Sequence, residues 1–229
     1  IIAGLETLSE GGVILNGREV SGPGLDRMVV FQNFALMPWM TVFENIALAV
    51  RSAYPDWKKE QVVAHVHKYI ALVGLKGAED KRPIALSGGM KQRVGLARAF
   101  SIEPKVLLLD EPCALIDALT RGVIQEELVQ MWNATRNTVF MVTHDVDGAI
   151  LLSDRIMLMT NGPSSRVAEI VDVTIPRPRS RDTVIEHPHY YKIRNHVIHF
   201  LVRHAAHGVV GERGVPGESS DVAPRVVRF

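Results

Sequence analysis

Val106-Leu107-Leu108-Leu109-Asp110-Glu111-Pro112 decides how this 229-residue chain is read. Four consecutive apolar residues with no polar alternation describe a strand covered on both faces, as in a parallel sheet. Such a strand delivers Asp110 and Glu111 at its C-terminal end, where open α/β sheets bind ligands. Asp110 suits a direct or water-mediated Mg²⁺ contact, and Glu111 suits a base that polarises an attacking water. In isolation an Asp-Glu pair after a strand is more often the polar start of a loop. Its neighbours reverse that judgement.

Upstream, Leu86-Ser87-Gly88-Gly89-Met90-Lys91-Gln92 sets a serine and two glycines ahead of Met90, Val94 and Ala97. The pattern predicts a helix N-terminus capped by Ser87, with a backbone that a ligand can approach closely. Unpaired amides at such an end bind anions. Lys91, Arg93 and Arg98 are expected to keep positive charge near a bound phosphate. An ordinary capped helix explains most isolated Ser-Gly-Gly triplets, but this one precedes the carboxylate strand. Downstream, Val142-Thr143-His144-Asp145 closes a second strand, Thr138 to Thr143, so His144 can donate to a terminal phosphate oxygen or orient the water. Gln32 comes directly after the strand Arg27 to Phe31 and offers a carbonyl oxygen to Mg²⁺ or water. Alone, either residue is more commonly structural or solvated.

Strands alternate with helical segments from Val106 to Met159, the signature of βαβ units around a parallel sheet. Between Trp39 and Gly74, Val62, Val66, Tyr69 and Val73 recur at helical spacing. On a later helix, Leu119, Val123, Ile124, Leu128 and Met131 are expected to share a buried face. Asn16-Gly17 predicts a hairpin turn, and Ile1 to Leu5 a helix end closed by glycine. Arg155 to Met159 and Arg166 to Val171 flank Asn161-Gly162-Pro163 as a further hairpin. Pro176, Pro178 and Pro188 punctuate a basic linker ahead of a helix from Tyr190 to His204. Residues 208–229, rich in Gly, Pro, Ser and charge, are expected to be mobile.

Lys and Arg number 26 against 25 Asp and Glu. This balance gives no electrostatic reason to expect a nucleic-acid partner. Cys113 is the only cysteine, which excludes an intramolecular disulfide and fits a reducing compartment. No apolar run approaches the ~18 residues that span a bilayer. His187, His189, His196, His199, His204 and His207 invite a zinc site, yet no Cys or carboxylate pattern completes one, so an exposed helical face is the preferred reading. The phosphate-cradling pattern Gly-x-x-x-x-Gly-Lys-[Ser/Thr] does not occur in the 229 residues. Ile1 looks like a cut end, since removal of an initiator Met requires a small next residue.

Together these segments resemble the nucleotide-binding subunit of an ABC transporter, from Ile1 to about Met159. The resemblance implies an α/β fold: an ABC-type nucleotide-binding domain with a parallel-sheet core, a helical subdomain and a small C-terminal extension, its N-terminal part with the P-loop absent. The expected division is 1–174 for the ATPase domain, about 39–100 for its helical subdomain, 175–207 for the extension and 208–229 for the tail. In the family's terms Gln32 is the Q-loop residue and Leu86 to Met90 the signature motif. Val106 to Glu111 is the Walker B strand with its catalytic glutamate, Asp117 the D-loop aspartate and His144 the H-loop histidine. The resemblance thereby implies that Glu111 and His144 are catalytic, that Gln32, Ser87, Gly88, Gly89 and Asp117 bind nucleotide, and that Asp110 with Gln32 serves Mg²⁺. Cys113 to Ile116 depart from the usual D-loop run by lacking its glycine. Ala85 and Gly148 replace a common glutamine and a common acidic residue.

Leu36-Met37-Pro38-Trp39-Met40-Thr41-Val42-Phe43-Glu44-Asn45 is similar to importers of nitrate, sulfonates and taurine. Pro176-Arg177-Pro178-Arg179 and His187-Pro188-His189-Tyr190-Tyr191 are most like the nitrate-type subunits. The resemblance implies ATP and Mg²⁺ as cofactors and a bacterial importer for nitrate or a related small anion, powered by ATP hydrolysis at a dimer interface. Implied partners are a second ATP-binding subunit, transmembrane permease subunits and, indirectly, a periplasmic or lipid-anchored solute-binding protein. The place is the cytoplasmic face of the inner membrane, with Trp39 and Phe43 where a permease would dock. As written, without the P-loop, the chain is not expected to hydrolyse ATP alone. Ile1 to Leu5 resemble the segment immediately C-terminal to the P-loop helix, so an incomplete sequence is the favoured explanation. Two alternatives stay open: a non-hydrolytic module that supplies only its signature motif to a partner ATPase, and a non-transport ABC ATPase.

Overall fold

The computed structural model describes residues 1–162, 165–209 and 223–229. The chain forms two compact units, Ile1–Thr143 and His144–Phe229. In the first, β1 (Ile14–Leu15) and β2 (Arg18–Glu19) make the hairpin expected at Asn16-Gly17. Both turn residues have positive φ, 50° and 75°, as a tight two-residue hairpin turn demands. Then come β3 (Arg27–Val30), α1 (Val42–Ala53), α2 (Lys59–Leu72), a single 3-10 turn at Pro83–Ala85, α3 (Gly88–Phe100), β4 (Val106–Asp110), α4 (Ala118–Thr135) and β5 (Thr138–Val142).

Strands β3, β4 and β5 form a parallel sheet in that order, with Val29 opposite Leu108 and Leu108 opposite Phe140. The central position of β4 explains its apolar run: Val106, Leu107 and Leu109 are buried, while Asp110 emerges at the end. Among the described residues β5 is an outer strand of this sheet, and Val139, Phe140 and Val142 are partly exposed on it. Helices α1, α2 and α3 pack together. Ile46, Val50, Val62, Val66, Tyr69, Ile70, Val73 and Val94 are buried among them, as the spacing of Val62, Val66, Tyr69 and Val73 predicts.

The second unit contains α5 (Val146–Leu152), β6 (Arg155–Met159), β7 (Val167–Asp172), α6 (Arg181–Ile185), α7 (Tyr190–Val209) and β8 (Arg225–Val227). β6 and β7 are antiparallel, and β8 joins β7 in parallel. One core gathers Ile150, Leu151, Leu158 and Val171 with Val184, Ile193, Val197 and Phe200, so residues on both sides of position 174 share it.

Three expectations change. Ile1 to Leu5 form no helix but a turn closed by the Gly4 amide on the Ile1 carbonyl at 2.7 Å. On α4 only Ile124, Leu128 and Met131 of the expected face are buried, whereas Leu119 is 88 % and Val123 47 % exposed. At roughly 100° per residue, Leu119 and Val123 point well away from Ile124, Leu128 and Met131. The expected mobile tail fails at its end, where Arg225–Val227 is a paired strand. Gly208 and Val209 of that expected tail end α7 instead, and residues 210–222 lie outside the described residues, as does Pro163 of the hairpin turn.

Candidate functional site

The strand ends bring Gln32, Asp110 and Glu111 together. Glu111 has a φ of 44°, an uncommon conformation for a side-chain-bearing residue and one that concentrates at functional sites. Its amide donates to the Val142 carbonyl on β5 at 2.9 Å, so the turn after β4 is fastened across the sheet. The Gln32 side-chain amide donates to the Glu111 carboxylate at 3.5 Å. That leaves the Gln32 carbonyl oxygen, with the exposed Asp110, as a pair of hard oxygen donors. Such donors fit Mg²⁺, which takes one or two protein ligands and completes its octahedron with water and phosphate oxygens.

The loop after Gln32 is held in an unusual shape. Phe34 and Ala35 both have positive φ, 64° and 45°. Their carbonyls accept from the Arg98 guanidinium at 3.3 and 2.7 Å. This corrects the placement of Arg98 near a phosphate: the side chain is buried, burial lowers its pKa from the ordinary arginine value, and it fixes the Gln32 loop from within. Arg93 is diverted as well. It forms a two-point ion pair with Glu127 of α4, at 2.8 and 2.9 Å. Burial pushes the Glu127 carboxyl up, against the opposing pull of Arg93.

The N-terminus of α3 forms as the serine predicts. Ser87 caps it, its hydroxyl oxygen accepting from the Met90 amide at 3.3 Å. The reason for Gly89 is internal: a Cβ there would meet the Thr120 methyl of α4 at 2.7 Å, too close without displacement. A Cβ on Gly88 would touch only the Leu115 carbonyl, at 3.5 Å, so the start of α3 lies beside the turn that leads to Asp117. Asp117 caps α4 through the Thr120 amide at 3.0 Å, and that bond lowers its carboxyl pKa. Ser87, Gly89, Met90, Arg93, Leu119, Thr120 and Val123 line an open recess of about 350 Å³. Its exposed Leu119 and Val123 are the two apolar residues of α4 that were expected in the core.

His144 opens the second unit, exposed, immediately before Asp145, which caps α5 by accepting from the Gly148 amide at 3.0 Å. Of the C-terminal histidines, His196 meets Glu169 at 2.6 Å, His189 meets Thr174 at 2.8 Å and packs edge-on against the His187 ring, and the His204 ring lies against Phe200. Among the described residues no group of three or more His, Cys, Asp or Glu could hold a metal ion.

Sequence reasoning passed over Asn45. Fully buried, its amide accepts from the Met37 amide and donates to the Met37, Met40 and Thr41 carbonyls, at 2.8 to 3.2 Å. It thereby shapes the 36–41 loop and leaves Trp39 65 % exposed. A buried Asn inside an otherwise apolar helix face was the available signal. Among the described residues no helix is long and apolar enough to cross a membrane.

The ABC transporter family model matches residues 1–114. The bicarbonate transport ATP-binding protein CmpD of Synechococcus elongatus is 48 % identical over 207 residues, 90 % of this chain and 74 % of that protein. The chain belongs to the ABC transporter family. The nitrate import ATP-binding protein NrtD of the same organism is 47 % identical over 90 % of this chain and 76 % of its own length. CmpC of that organism, also a bicarbonate transport ATP-binding protein, is 55 % identical over 88 % of this chain, which spans only 30 % of CmpC. Among solved structures, the dimeric ATP-binding cassette MJ0796, in a post-hydrolysis state with ADP and Pi, matches with a TM-score of 0.60 and 28 % identity. The match covers 68 % of this chain and 72 % of that one. CbiO1 of Clostridium perfringens, part of the transporter complex cbiONQ, matches with a TM-score of 0.61 and 25 % identity over 68 % and 64 % of the two chains. The α/β fold with a parallel sheet is therefore that of ABC ATPases, a nucleotide-binding family.

Proposed function

We propose that this protein is the ATP-binding, energy-coupling subunit of an importer for nitrate, bicarbonate or a related small anion. The observation that carries this reading is the grouping of Gln32, Asp110 and Glu111 at the ends of β3 and β4. It is supported by relatives whose names state nitrate import and bicarbonate transport. Glu111 takes a proton from the water that attacks the terminal phosphate, and His144 donates to an oxygen of that phosphate. Asp110 and Gln32 would hold Mg²⁺, which neutralises charge on the phosphate oxygens. Gln32 orients Glu111 through their shared hydrogen bond.

A second ATPase subunit would face Ser87 to Gly89 and Asp117, covering the exposed Leu115, Leu119 and Val123. Dimerisation of the structural neighbour supports this pairing. The ATPase domain would run through residue 174, with 39–100 as its helical subdomain and 175–207 as the family-specific extension. Permease subunits would meet the Trp39 loop on the cytoplasmic side of a bacterial inner membrane, and a solute-binding protein would deliver the anion from the other side.

Uptake of labelled nitrate and bicarbonate in cells deleted for the gene tests the function. The expected result is loss of uptake of one of these anions, restored by the wild-type gene and not by Glu111→Gln. Normal uptake of both in the deletion strain would overturn the assignment to nitrate or bicarbonate, and normal uptake of nitrite and cyanate as well would overturn the importer reading.

A further inference from the structure

Helix α5, which starts two residues after His144, has seven residues. So short a helix is not stable by itself, and its orientation depends on what grips it. The grip comes from the region after residue 174, at both ends. In the first turn, the Asp147 carboxylate accepts from the Tyr190 hydroxyl at 2.9 Å and from Arg194 Nε at 2.8 Å, both on α7. Beyond the last turn the carbonyls that a helix leaves unpaired are met by two arginines. Arg179 Nη1 donates to the Ile150 and Ser153 carbonyls at 3.2 and 2.6 Å, and Arg177 Nη2 to Leu152 at 2.8 Å. Between these ends Ile150 and Leu151 are buried against Val184, Ile193 and Val197.

The Pro176-Arg177-Pro178-Arg179 run is thus no basic linker but a helix cap. Cations at a helix C-terminus also complement its dipole. Asp154 lies 2.9 Å from Arg177 and 3.9 Å from Arg179 and steadies both. Burial lowers Arg179 to about 10, which still leaves it charged at neutral pH. Tyr190 is pushed up to about 12, by burial first and its bond to Asp147 second. It therefore stays a donor across the physiological range.

We infer that Arg177, Arg179, Tyr190 and Arg194 are positioning residues that clasp α5 at both ends and thereby fix the direction in which His144 is presented. This rests on the reading of His144 as the group that meets the terminal phosphate. A misplacement of about 1 Å in such a group lowers turnover by as much as ~10²-fold without weakening binding.

The test uses the double variant Tyr190→Phe/Arg194→Ala, with Tyr190→Phe alone as the milder form should the double variant melt early. Ring resonances of His144 are tracked by NMR beside those of His65 and His67 of the first unit. ATP turnover is measured on protein expressed from the whole coding sequence. The expected result is a shifted or broadened His144 ring, unchanged His65 and His67, and kcat down by about tenfold with KM within about twofold. Arg194→Lys, keeping a charge beside Asp147, should restore part of the loss. A His144 ring identical to wild type, or unchanged kcat in the double variant while His144→Ala is inactive, would overturn the positioning role alone. Full turnover by His144→Ala would overturn the role of His144 itself, and the positioning with it.

Discussion

Arg98 in the first unit and Arg179 in the second are both buried guanidiniums that serve backbone carbonyls, and they differ in how completely they are used. Arg98 donates to Phe34 and Ala35, leaving its Nε without a partner. Arg179 engages all its nitrogens in five hydrogen bonds to the carbonyls of Ile150, Ser153, Val173 and Ile175. The first holds a loop of two left-handed residues next to Gln32; the second joins a helix end to the strand-to-linker segment of a small core. Buried charge is costly unless its hydrogen bonds are met. The second unit has thus placed more of its stability on one side chain, while the first uses its arginine chiefly to set a loop shape.

Substitutions can break this contrast. Arg179→Ala leaves four carbonyls short of a donor and should lower stability by about 3–5 kcal/mol. In urea denaturation its midpoint should fall furthest of any single variant considered, with hydrogen exchange rising first in 144–209. Arg98→Ala should cost about 2–3 kcal/mol. Its signature is local: faster exchange at Phe34 and Ala35 and weaker nucleotide-dependent activity, with the second unit unaffected. If Arg98→Ala proved the more destabilising, the ranking by satisfied bonds would be wrong.

A smaller effect concerns pH. Because Tyr190 has a folded value of about 12 against an ordinary ~10, its stabilising bond to Asp147 is fully present below pH ~10. It is lost as pH rises through about 12. The stability gap between wild type and Tyr190→Phe, about 1–2 kcal/mol, should be constant from pH 6 to 9 and close between ~10 and ~12. A gap that closed on acidification instead would contradict the assigned bond. Smallest is Gln92, fully buried with neither amide atom hydrogen-bonded to the protein. Gln92→Met should be neutral or stabilising by up to about 1 kcal/mol in thermal unfolding, because it removes polar atoms that have no partner.

The strands were legible because their signals are local. An unbroken apolar run fits only a strand in mid-sheet, and β4 has one; Asn16-Gly17 fits few turns other than the one it makes. Ser87, Asp110, Glu111 and Gln32 were legible for a related reason: each stands at an element end, where side chains are presented to ligands. Partner choice was not legible. An arginine nearly three turns past an anion-binding helix end can serve a phosphate or a carbonyl, and only the fold places Phe34 and Ala35 in front of Arg98. Arg177 and Arg179 looked like a linker because their partners on and just after α5 lie 23 to 29 residues back in sequence. Leu119 and Val123 failed for a geometric reason: on a helix with one recess-facing side and one core-facing side, apolar residues occupy both.

The central claim is that Gln32, Asp110 and Glu111 form the working end of an ATPase. The most direct measurement is steady-state ATP hydrolysis by Glu111→Gln beside wild type, both expressed from the whole coding sequence, with ATP binding measured in parallel. Binding should stay within about threefold of wild type and turnover should fall by at least ~10². Turnover within about threefold of wild type would contradict the claim.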